Sequence, residues 1–98
     1  MGLTVKMQQM LEGYGLDALF DEHREQWKEA AKRTHTFVTL SFPDESTIRR
    51  DDVAESMVSM LEVNEELQGA LAVKKLKQKY WATYFAHYIV DKLWDEIS

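Results

Sequence analysis

Hydrophobic positions along the first third of the chain recur at helical spacing. From Leu16 they fall at Leu16, Leu19, Phe20, Trp27, Ala30 and Ala31. That recurrence marks one face of an amphipathic helix. The opposite face carries Asp21, Arg24, Glu25, Lys28, Glu29 and Lys32. Before it, Thr4 is suited to cap a short first helix, and Gly13 to stop it. The Gly-Tyr-Gly at positions 13–15 then reads as a turn.

Periodicity becomes ambiguous in the stretch THTFVTLSF, from Thr34 to Phe42. β-Branched and aromatic residues favour a strand, with Val38, Leu40 and Phe42 on one face. A helical stripe through Thr34, Phe37 and Val38 is the competing pattern. Phe-Pro-Asp-Glu-Ser is a turn signal, and Thr-Ile-Arg-Arg fits a short return strand. A short β-hairpin near residues 36–50 is therefore expected, packed on helices because a lone hairpin is marginal in water.

Helix signals return after it. Asp52 followed by Glu55 has the spacing of a capping box. Val53, Met57, Met60 and Leu61 then form a stripe, with Ala54 and Val58 at its edge. Asn64, followed by Glu65 and Glu66, is a second helix start, since acids suit the positive end of the helix dipole. Gly69 is expected to break a short helix from a long last one. The pattern predicts a mostly α protein, one domain over residues 1–98, built as a bundle of four to five helices with that hairpin.

The last helix raises a functional question. Lys77 to Trp94 holds six of the chain's eleven aromatic residues. On a helix, Ala82, Phe85, Ala86, Ile89, Leu93 and Ile97 share one surface, and Tyr80, Trp81, Tyr84 and Tyr88 share another. Polar positions reduce to Lys77, Asp91 and Asp95 on one line and Thr83 and His87 on another. Such a helix is central to a bundle or covered on two sides. The aliphatic surface suits the core. Tyrosines suit places where the ring is buried and the hydroxyl is paired or wet. Core edge, partner interface and ligand pocket all meet that condition. Tyr80, Trp81, Tyr84 and Tyr88 are the candidate interface residues, because Tyr and Trp are enriched at protein contacts.

Composition narrows the chemistry. The chain has 98 residues, a net charge of −5 and no cysteine, which removes disulfides, thiol nucleophiles and Cys-ligated zinc. No apolar run reaches the ~18–20 residues of a membrane span, and the first residues lack the pattern of a secretory signal. A cytoplasmic protein with no membrane contact is expected. Six acids and no base lie between Asp51 and Gln68, followed by a basic patch of Lys74, Lys75, Lys77 and Lys79. Lysines beside Tyr80 and Trp81 are a pattern used on single-stranded nucleic acid, but the acidic total opposes it. His87 and Asp91, one turn apart, are expected to form a local ion pair. His23, on the apolar stripe between Phe20 and Trp27, is expected to be a core-edge histidine. No zinc, phosphate-loop, dinucleotide or nucleophile-elbow motif is present. The expectation is a non-catalytic binding or regulatory protein without cofactor or metal, homodimeric through the aromatic face. The alternative is a module for small ligands or single-stranded nucleic acid.

Overall fold

The computed structural model describes residues 3–42 and 48–98. Six helices are present among them, and no strand: α1 (Val5–Gly13), α2 (Leu16–Glu22), α3 (Arg24–Ser41), α4 (Arg50–Glu62), α5 (Glu65–Val73) and α6 (Gln78–Ile97). No helix among the described residues is long and apolar enough to cross a membrane.

Local capping explains several boundaries. Thr4 Oγ1 accepts the Met7 N–H at 3.1 Å and starts α1. Asn64 Oδ1 accepts the Leu67 N–H at 2.9 Å and starts α5. The turn at Tyr14 and Gly15 works because Gly15 has φ of +75°, a region most side chains avoid. Asp52 has a different capping role from the expected one. Arg49 is the N-cap of α4, and the Asp52 carboxylate reaches back to the Arg49 N–H at 3.3 Å.

Three expectations need correction. The bundle has six helices rather than four to five, because the stripe from Leu16 is split at His23, which ends α2 and begins α3. The Leu19 carbonyl accepts both the His23 N–H and the Trp27 indole N–H at 3.3 Å, so the break is satisfied internally. The hairpin near residues 36–50 does not form over residues 36–41, which continue α3; residues 43–47 of that prediction lie outside the described residues. Strand propensity is overridden by packing: Trp27, Ala31, Thr34 and Val38 keep one buried stripe along the helix. Thr34 and Thr39 also donate their hydroxyls to the carbonyls of Ala30 and His35, at 2.8 and 2.9 Å, which suits a helix. Finally, α5 runs through Gly69, and the break falls in the lysine-rich segment, where Lys75 has φ of +58°.

The core is built around α6. Ala82, Phe85, Ala86, Ile89 and Leu93 are fully buried, as the aliphatic surface required. Helix α4 packs along α6 with Val53, Ala54, Met57 and Leu61. Helices α1, α3 and α5 also contact α6. Arg24 and Lys28 at the start of α3 pair with Glu96 near the end of α6, the lysine at 3.4 Å. Their hydrogen bonds and charges, Arg24 first, hold the Glu96 carboxyl below its usual range.

Candidate functional site

The aromatic surface of α6 is divided by the fold. Tyr88 is 4% exposed and Trp81 6%, whereas Tyr80 is 57% exposed and Tyr84 lies between. The covering residues come from the N-terminal helices. Phe20 of α2 meets the Tyr88 ring edge-on at 5.2 Å, and Tyr14 meets Trp81 in the same way at 5.2 Å. Trp81 passes the contact on to Tyr84 at 5.4 Å. Edge-to-face pairs of this kind contribute about 0.5–1.5 kcal/mol beyond area burial. Burial pushes the Tyr88 phenol up to about 12. Of the four residues, only Tyr80 offers most of its ring to a partner.

The four lysines occupy one region. Lys74 and Lys75 link α5 to α6, Lys77 is the N-cap of α6, and Lys79 lies in its first turn. All four are exposed. The Lys77 ammonium stands 5.9 Å from the centre of the Tyr80 ring, within cation–π range. Lys79 and Gln78 line an open cleft of about 440 Å³ with Glu62, the last residue of α4, and Val63, its C-cap. The Glu62 carboxylate sets a negative charge against the lysine there.

The polar strip of α6 is wired to α4. His87 does not pair with Asp91 one turn on. Its Nδ1 lies 3.9 Å from Asp51 Oδ1, and Asp91 instead accepts a 2.8 Å hydrogen bond from Arg50. The Arg50 guanidinium also lies 5.7 Å from the Trp94 ring centre. His87 is 8% exposed, and burial lowers its pKa, with Glu55 opposing. His23 is half-buried at the α2–α3 junction, as a core-edge histidine should be, with its ring edge-on to Trp27 at 6.3 Å. Among the described residues, no three His, Asp or Glu side chains are placed to hold a metal.

A surface that the sequence reading passed over lies between α3 and α4. Arg33, Thr34 and Phe37 of α3 and Ser56 and Met60 of α4 line a groove of about 160 Å³. Phe37 is 65% exposed, Leu40 75% and Met60 40%. The available signal was the i, i+3 spacing of Phe37 and Leu40 beside the buried Thr34–Val38 stripe. It was obscured by reading the segment as a strand, which puts Leu40 with Val38 on one face.

Comparison of the chain with known protein families, with curated proteins and with solved structures finds no match.

Proposed function

We propose that this chain is a non-catalytic, cytoplasmic interaction protein that acts through protein–protein contacts and self-associates. One observation carries the proposal. Phe37, Leu40 and Phe42, at the end of α3, are 65%, 75% and 54% exposed. Single apolar residues on a surface are ordinary, but several together on a small chain favour a contact with another protein. The expected aromatic interface on α6 contributes Tyr80, because its other members are spent on internal packing. Gel filtration with light scattering tests the proposal. The mass should rise above the 11.5 kDa of one chain as loading increases. A constant single-chain mass at all loadings would refute self-association.

A second reading has its own support. Lys74, Lys75, Lys77 and Lys79 are exposed just before Tyr80 or beside it in the chain, and the Lys77–Tyr80 contact leaves a ring and a charge facing outward. Single-stranded nucleic acid or a small anionic ligand fits that chemistry. Anisotropy with a labelled oligonucleotide at low salt decides it. Binding that weakens steeply with salt and is lost on changing the lysines to Gln would favour this reading. The chain's net charge of −5 favours the first.

A further inference from the structure

We infer that the lysine-rich junction of α5 and α6 docks an acidic segment of another protein. The partner's carboxylates meet Lys75, Lys77 and Lys79, and its apolar side chains rest on Val63, Val73 and Tyr80. The inference rests on the reading of this chain as a protein-binding module, names the chemistry of one partner, and does not depend on self-association. Charge, local cost and exposed apolar surface carry it.

Lys74, Lys75, Lys77 and Lys79 fall within six residues, and all are exposed. Among the described residues none of the four has an ion-pair partner, whereas Lys28 pairs with Glu96. The net charge of −5 includes these four cations, so the rest of the chain carries −9. Four unmatched cations gathered in one place on an otherwise acidic chain are complementary to carboxylates.

Three of these lysines also stand where they cost local stability. Lys74, the C-cap of α5, suits the negative end of that helix. Lys75 does not suit its place. The Leu76 N–H donates to the Leu71 carbonyl at 3.0 Å and the Lys75 N–H to the Ala72 carbonyl at 3.1 Å. That pair of bonds makes a helix-ending turn whose left-handed position usually holds glycine. Here Lys75 occupies it at φ of +58°, which is costly for a residue with a Cβ. Lys77 is the N-cap of α6 and makes no side-chain capping bond, where Asp or Asn would make one. Lys79, in the first turn, sets a cation at the positive end of the α6 dipole. Residues that cost stability where they stand, with side chains in solvent, point to a role outside the fold.

Exposed apolar groups choose the partner's class. Val73, the last residue of α5, is 84% exposed and directly precedes Lys74. Val63 is 78% exposed on the cleft that Lys79 lines, and Lys77 flanks the exposed Tyr80 ring. A phosphate backbone makes no use of exposed valines. Glu62 on the same cleft, and the acidic remainder of the chain, repel a long polyanion. A short protein segment mixing carboxylates with apolar side chains matches both kinds of group and brings few charges.

Amide NMR on the isotope-labelled full chain tests this, with melting followed by circular dichroism. The probes are a synthetic peptide of Glu, Asp and Leu, the same peptide with Ser for Leu, its counterpart with Lys for the acids, and oligothymidylate. The Glu/Asp/Leu peptide should give saturable shifts at Val63 and from Val73 to Tyr80, with Kd between about 10 µM and about 1 mM, weakening with salt. The Ser peptide should bind at least threefold more weakly, and the Lys peptide not at all. Lys77→Asp and Lys79→Glu should each weaken binding at least threefold yet raise the melting temperature, because they improve the start of α6. Lys75→Gly should do the same by relieving the turn. Lys32→Glu, the same change of charge on exposed α3 surface, should leave binding unchanged. Binding unaltered in Lys77→Asp and Lys79→Glu, or a fall in both melting temperatures, would overturn the inference. Oligothymidylate bound more tightly than the acidic peptide would overturn it in favour of nucleic acid. No shift with any peptide would overturn it too, while a mass that still rises with loading would leave the protein-contact reading standing.

Discussion

Phe85→Ala tests whether α6 is the centre of the fold. Phe85 is fully buried. Its ring meets Trp27 edge-on at 5.2 Å and lies parallel to Tyr88 at 6.3 Å. Truncation removes the buried ring, worth about 1.5–3 kcal/mol by area alone. It also removes the aromatic contact with Trp27, about 0.5–1.5 kcal/mol. The cavity left between α3 and α6 adds more, since both neighbours are held by other packing. The total should reach about 3–5 kcal/mol, the usual range for such a change. Domains of this size are stable by roughly 5–15 kcal/mol, so the variant should fold but melt lower. At ~4–8 °C per kcal/mol the fall is on the order of 15–30 °C. Urea unfolding followed by tryptophan fluorescence measures it, with Tyr80→Ala as the exposed comparison, expected within about 0.5 kcal/mol of the unaltered chain. Pairing Phe85→Ala with Trp27→Leu in a double-mutant cycle should return a coupling of about 0.5–1.5 kcal/mol. A cost for Phe85→Ala below ~1 kcal/mol, or one equal to that of Tyr80→Ala, would refute the argument that α6 organises the core.

Other outcomes follow from single positions. Burial lowers the His87 pKa. An unfolded histidine takes its proton near ~6.5, so between that pH and the lower folded value the unfolded state binds more protons. Stability should fall as pH drops through this window. Comparing urea midpoints at about pH 7.5 and about pH 5.5 checks it; His87→Gln should reduce the difference, and an unchanged pH dependence would count against the burial argument. Tyr88 titrates at about 12. A late component in the alkaline absorbance titration should therefore disappear in Tyr88→Phe. Its raised pKa also means that stability declines as pH rises above the ordinary value of ~10. Two glycines should respond with opposite signs. A Cβ on Gly13, in the last turn of α1, meets nothing within 4 Å, so Gly13→Ala should stabilise by about 0.5–1 kcal/mol. Gly15 has φ of +75°, so Gly15→Ala should destabilise by about 1–2 kcal/mol. Chemical denaturation of the pair measures both, and a stabilising Gly15→Ala would contradict the backbone argument.

The chain alone determined what depends on neighbours a turn or less away. Thr4 and Asn64 could be read as caps because the donors they satisfy, at Met7 and Leu67, lie three residues on. The apolar character of α6 on two sides was legible for a similar reason: helical spacing assigns its residues to faces without reference to the rest of the fold. Tertiary structure decided what covers those faces. Tyr14 and Phe20 close over Trp81 and Tyr88 from the other end of the chain, and no periodicity reports a contact between positions so distant in sequence. The same holds for His87, whose local partner Asp91 was one turn away yet went to Arg50 of α4. Residues 36–41 show the reverse conflict. Their β-branched content spoke locally for a strand, but burying Thr34 and Val38 in line with Trp27 and Ala31 held them in α3. That choice also turned Phe37 and Leu40 outward, with Phe37 on the groove that Met60 lines. The α3–α4 groove therefore exists only in the folded chain: local preference is a weak bias, and a continuous buried stripe outweighs it.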